Sequence, residues 1–441
     1  MQPIDTHTPT SGTTSDPAPG STPDAVAAAA GGYWHRRGLP TEPDQVVAAP
    51  TAPLLLLALL AATGGDGGDG RGGGVVVPRP GTAWHAEQVR LLGRPLHPVP
   101  VPAECGGVPD PFALLETVGR ARADGDDPRV LLLSVADDVT GTTAPPELLH
   151  EVCEAAAQEG LLVVGDESWR DAVHDPHDTV IVSPAEILHR AGPAPGAGTH
   201  PEDVHGIHGT APRATAAPTA APTAAPTAEH RGAVVVLADL GAGPDPAPRP
   251  GPGVGVARFS ADGYGRELGE RTRAALAALN ARLDGPRAAA AVRTLDEPRA
   301  LRERRAAVGR AHGVLAAALH RALTDAGAVC RPPHVGRHLY PDFEALRPDL
   351  AARGIEDAPR LEAELVRRLG PHVLGGHRFG DDPSALRVRL STDPAALGVF
   401  RDAVPLPAGS TPSDAAALLE RPEVAAALAA VTSALTDLTA G

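Results

Sequence analysis

The side chains best suited to chemistry in this sequence come as three histidine pairs: His174 and His177 in HDPH, His205 and His208 in HGIH, and His334 and His338 in HVGRH. Imidazoles at such spacing could hold a divalent metal through their neutral ring nitrogens. None of the pairs lies in a helical pattern beside a glutamate, and no HExxH occurs, so loop histidines are expected and no metal site is assigned. Nucleophilic chemistry has as little footing. Cys105, Cys153 and Cys330 are far apart and odd in number, which suits a reducing cytoplasm and gives neither a disulfide framework nor a zinc knuckle. No GxSxG elbow or Walker sequence is present, and the alternation of Gly251, Gly253 and Gly255 is not a dinucleotide fingerprint. The most consequential absence is lysine. The 441 residues contain none, and all 39 strong bases are arginines. Imine chemistry through a side-chain amine is thereby excluded.

The elements that must position any site are written in the apolar pattern. The chain is long enough for two or three domains, and with aromatics at 2% its core is built from Ala, Val and Leu. A net charge of −15 argues against nucleic acid or an anionic membrane as partner. The longest apolar stretch, 54–62, is far short of the roughly 20 residues that span a bilayer and reads as a buried helix. Residues 1–30 and the low-complexity insertion 192–231, with its AAPTAAPTAAPT repeat, carry too few large apolar side chains to offset the entropy of ordering. Residues 64–74 read as a glycine-rich loop. Apolar runs at 75–77, 130–135, 161–164, 179–182 and 233–237 predict strands, with a helix over 145–157 between two of them. Alternation of this kind indicates a mostly parallel α/β sheet. From 266 to 328 long Ala/Arg/Leu helices follow, and the remainder reads as a smaller α+β domain.

Several stretches then resemble one family in series. SVADDVTG at 134–141, a helix opening on Pro145-Pro146, and LLVVGDESW at 161–169 are similar to the Asn-Pro-Thr-Gly, helix and Asp-Glu-x-Tyr succession of class I/II aminotransferases, the fold-type I pyridoxal-phosphate enzymes. YWHRRGLP at 33–40, the segment 78–93, GPHVLGGHRFG at 370–380 and Arg389-Leu390-Ser391 continue the resemblance in the same order. It implies a large domain over 31–265, interrupted by the insertion 192–231, and a helical linker with a small C-terminal domain over 266–441. It also implies a homodimer, because such enzymes build their sites between two subunits.

Carried over position by position, the resemblance gives a partial site. Asp166 matches the carboxylate that faces the cofactor's pyridine nitrogen, although a strand-end Asp also caps turns. Gly241 falls at the lysine and Gly253 at the phosphate-binding arginine. Thr51 stands before the helix that would present backbone N–H groups to the phosphate, but Pro53 has none to give. Asp138 replaces the asparagine, Val139 the proline and Trp169 the tyrosine, while Thr82 lies near the stacking aromatic, two residues before Trp84. Arg389 matches the arginine that clamps a substrate carboxylate, or is, with Arg387, a solvent-facing residue of an edge strand.

The expectation is therefore a fold-type I α/β scaffold, inactive as a conventional transaminase, cytoplasmic, and acting as a binding or partner protein for an amino acid or other carboxylate. No covalently bound cofactor is expected. The alternative is an enzyme that holds pyridoxal or pyridoxamine phosphate non-covalently, or uses Asp138 and Asp166 in acid–base chemistry without a cofactor.

Overall fold

The computed structural model describes residues 22–64, 73–191, 232–242, 253–392 and 410–439. Its strands are β1 (Val46–Ala49), β2 (Gly74–Arg79), β3 (Leu96–Pro100), β4 (Pro128–Ser134), β5 (Ala136–Asp137), β6 (Thr142–Thr143), β7 (Leu162–Asp166), β8 (Val234–Asp239), β9 (Gly255–Phe259), β10 (His338–Leu339), β11 (Leu374–Gly375) and β12 (Val388–Ser391). The helices are α1 (Pro23–His35), α2 (Ala52–Thr63), α3 (Ala83–Leu91), α4 (Pro111–Ala123), α5 (Pro146–Gln158), α6 (Pro184–Ala191), α7 (Gly263–Ala278), α8 (Gly285–Asp296), α9 (Arg299–Asp325), α10 (Arg347–Ala352), α11 (Ala358–Leu369), α12 (Pro412–Ala416) and α13 (Pro422–Thr439).

Seven strands form the main sheet in the order β1-β9-β8-β7-β4-β2-β3. From β3 to β8 the pairs are parallel, and β9 and β1 close that edge antiparallel. The strand residues alternate between two cores. Val75, Val77, Val130, Leu132, Val164 and Val235 face α2 and α7, while Val76, Leu131, Leu133, Val163 and Val236 face α1, α4, α5 and α8. Burial on both faces is why these strands read as unbroken apolar runs. A three-stranded sheet, β10-β12-β11, carries the second domain and packs with α9, α10, α11 and α13 around Phe343 and Leu386.

Four expectations change. The predicted strand at 179–182 does not form: β4 and β8 occupy both edges of β7, and the run pairs with neither edge strand of the sheet, β1 or β3. Val180 is instead 67% exposed. Helix α1 begins at Pro23, inside the stretch 1–30 assigned to an unstructured tail; Thr22 caps it and Trp34 is fully buried. Residues 1–21 and the insertion 192–231 lie outside the described residues, as does most of the glycine-rich loop. Strands β1, β3 and β9 were not predicted as strands; β3, with Pro98 and Pro100, is confined to the sheet edge where a missing N–H is tolerated. Helices α7 and α8, grouped by sequence with the C-terminal region, pack Leu268, Leu276, Ala291 and Leu295 into the cores of the main sheet.

Candidate functional site

Parallel strands β4, β7 and β8 end at one edge of the sheet, where Ser134 and Asp166 lie side by side and β8 runs on two residues past the partner of Asp166, Leu237, to Asp239. In open α/β sheets this carboxyl edge is where ligands bind. Asp166 is buried and in a defined setting. Its Oδ1 accepts from the Ser168 N–H at 2.9 Å and the Ser168 hydroxyl at 2.5 Å. Its Oδ2 lies 3.3 Å from His85 Nε2, a nitrogen that makes no well-formed hydrogen bond. His85 is itself buried in the first turn of α3, with Trp84 edge-on to it at 4.4 Å. Ser168 joins the neighbouring strand as well, since its Oγ accepts the Asp239 N–H at 2.9 Å.

Beyond β8 the chain turns at Gly241 and meets Gly253 at closest backbone approach. A Cβ built on Gly241 would stand 2.5 Å from both the nitrogen and the Cα of Gly253. One built on Gly253 would stand 1.9 Å from the Gly241 nitrogen. Neither place admits a side chain with the backbone as it runs. Asp239 caps the turn, its Oδ1 accepting the Gly241 N–H at 2.7 Å. Burial pushes its carboxyl up to about 6; the Gly241 N–H opposes the rise and the charge of Asp166 adds to it. On the far side of the turn, Gly255 lies against the start of α2, so close that a Cβ would reach 2.8 Å from the Thr51 carbonyl carbon. Thr51 is the N-cap of that helix, and its Oγ1 accepts the Leu54 N–H at 3.2 Å.

A second cluster forms where the loop from β5 to β6 meets the smaller domain. Asp137 is buried, with its Oδ2 accepting the Thr140 hydroxyl at 2.7 Å; burial raises its carboxyl despite that bond. The half-buried Asp138 points the other way and uses both oxygens. Oδ1 is 2.9 Å from His338 Nδ1 and Oδ2 is 3.2 Å from an Arg389 terminal nitrogen. Burial alone would raise this carboxyl, but His338 and Arg389 together hold it below the usual carboxylate range. The Arg389 guanidinium also lies over the Phe379 ring, 4.6 Å from its centroid. Trp169 stands edge-on to His338 at 6.5 Å and carries Arg337 over its face at 5.5 Å, which links this cluster to the turn after β7. Gly141, at φ +71°, accepts the His334 N–H at 2.7 Å and the Val335 N–H at 3.1 Å, stitching the loop to the second domain.

The structure thus groups Asp166, Thr51 and Gly241 around the end of β8, and Asp138, Trp169 and Arg389 around His338. Sequence reasoning passed over His85, Ser168 and Asp239, which have no motif of their own, and put His338 among the loop histidines. Of the other histidines, His174 is buried with Nε2 3.0 Å from the Gly336 carbonyl oxygen, and His177 is exposed. His205 and His208 lie outside the described residues, among which no group of three or more potential metal ligands occurs.

The aminotransferase class I and II family model matches residues 19–201. LL-diaminopimelate aminotransferase of Desulforudis audaxviator is 32% identical over 102 residues, 23% of this chain and 24% of that protein. Among solved structures, an aspartate aminotransferase of Thermus thermophilus with maleate superposes with a TM-score of 0.63 at 17% identity, over 95% of this chain and 84% of that one. An aspartate aminotransferase of Rhodobacter sphaeroides gives 0.61 at 19% identity, over 94% and 83%. The chain is class I/II aminotransferase-like and has the α/β fold of those enzymes, a mixed, mostly parallel seven-stranded sheet with its helices.

Proposed function

We propose that this protein is an aminotransferase-type scaffold that works without a covalently held cofactor, as a binding or partner protein and not as a conventional transaminase. One observation carries the reading. The chain has no lysine, and the turn aligned with the family's lysine is closed by the Gly241–Gly253 backbone contact. Pyridoxal phosphate held in the family's manner does not fit these residues, because both the amine and the phosphate arginine give way to glycines whose Cβ positions are already filled. Asp166, which the resemblance aligns with the carboxylate facing a pyridine nitrogen, is buried at the end of β7. The protein is further inferred to be a cytoplasmic homodimer, in keeping with the resemblance; among the described residues no helix is long and apolar enough to cross a membrane.

A second reading, acid–base catalysis in the same cleft with a non-covalent cofactor or none, is favoured by Asp239. A carboxyl that titrates near 6 beside Asp166 can hold a proton close to neutral pH. Borohydride reduction after incubation with pyridoxal phosphate tests the main reading. The expected result is no adduct on any internal side chain by mass spectrometry and no transamination of amino acids. An internal adduct overturns it, and proton exchange lost in Asp239→Asn favours the second.

A further inference from the structure

Arg389 and Asp138 are 251 positions apart and belong to different domains, yet each is held by the other where the domains meet. We propose that Asp138 is a built-in occupant of the Arg389 guanidinium, so that the cleft turns free carboxylates away and accepts them once Asp138 is made neutral. This inference rests on the reading of the cleft as a binding site that needs no covalent tether.

Three features carry it. Asp138 is anchored at its second oxygen by His338, which fixes the carboxylate in place instead of leaving it to swing into solvent. Phe379 covers a face of the guanidinium, so approach to the group is directional, and Asp138 takes one of its terminal nitrogens. The side chain is also well placed to outcompete a ligand. A tethered carboxylate acts at an effective concentration of about millimolar or more, with no loss of translational freedom. A free monocarboxylate or dicarboxylate must displace it and leave the Asp138 carboxylate with His338 as its remaining partner, short of one charge-assisted bond. With an amide at this position the guanidinium loses its hydrogen-bonded carboxylate and can take one from solution.

Calorimetry with succinate on the full chain tests this. Wild type is expected to show no binding at succinate concentrations well below the effective concentration of the tethered group, about millimolar. Asp138→Asn is expected to bind at least tenfold more tightly than wild type, and Asp138→Asn combined with Arg389→Gln to lose that gain. Asp138→Ser, which keeps a hydrogen-bonding group for His338, repeats the measurement if the amide variant does not fold. Succinate binding by wild type equal to that of the neutral variants overturns the inference, as does binding that survives Arg389→Gln. The two readings fail separately: an internal borohydride adduct removes the tether-free cleft and leaves the succinate series unchanged, whereas carboxylate binding by wild type removes only the occupant.

Discussion

Restoring the missing amine is the sharpest perturbation of the site. In Gly241→Lys the obstacle precedes the ammonium group: the first side-chain carbon already falls 2.5 Å from two backbone atoms of Gly253. Carbon and nitrogen at ordinary contact need about 3.5 Å or more, so roughly 1 Å of backbone displacement is required. Backbone yields less readily than the end of a flexible side chain, and overpacking of this kind costs about 1–3 kcal/mol. For a domain of about 150–250 residues that is a fall of roughly 2–12 °C in melting temperature. Gly241→Ala carries the same clash without the amine, so the two variants are expected to melt together, both below wild type. Scanning calorimetry reads the stability, and borohydride reduction with pyridoxal phosphate followed by peptide mapping reads the chemistry, with no adduct expected at position 241. A Gly241→Lys protein that melts with wild type and forms the adduct refutes the argument, because it shows the turn to be open.

Two further outcomes concern protons. Asp239 is raised from 3.8 to about 6, so the folded state takes its proton more readily than the unfolded chain; stability is highest below 3.8 and falls as pH rises through 6. The difference, at most about 3 kcal/mol, is expected to vanish in Asp239→Asn, as read by urea unfolding between pH 4 and 7. His312 behaves in the opposite sense. Burial, helped by the charge of Arg337, lowers it from 6.5 to about 3, so the stability present above 6.5 is lost as pH falls toward 3, by about 1.4 kcal/mol per pH unit. His312→Gln is expected to flatten that acid limb, and an unchanged limb assigns it to other groups.

The main sheet was legible because strands covered on both faces leave an unmistakable apolar text at β4, β7 and β8. The run at 179–182 carries the same text and is no strand, since a residue string does not say which runs the sheet will take in. Helices α7 and α8 were misgrouped for a related reason: an Ala-rich stripe shows that a face is covered, not which sheet covers it. In the site, Asp166 was found through its match to the family's Asp-Glu-x-Tyr stretch. His85 and Ser168 reach it from other elements, and only the folded chain brings those elements together. The occupation of Arg389 by Asp138 was equally hidden, because a residue aligned with a receptor reads the same whether it is open or already filled.

The stitching of Gly141 to residues 334 and 335 has a consequence for how anything enters. Two backbone bonds and an ion pair already draw the halves of the molecule against one another, and a Cβ at Gly141 would stand 2.1 Å from the His338 carbonyl oxygen. The two halves are therefore already in contact at this seam before anything binds, and a substitution at Gly141 would press on both at once.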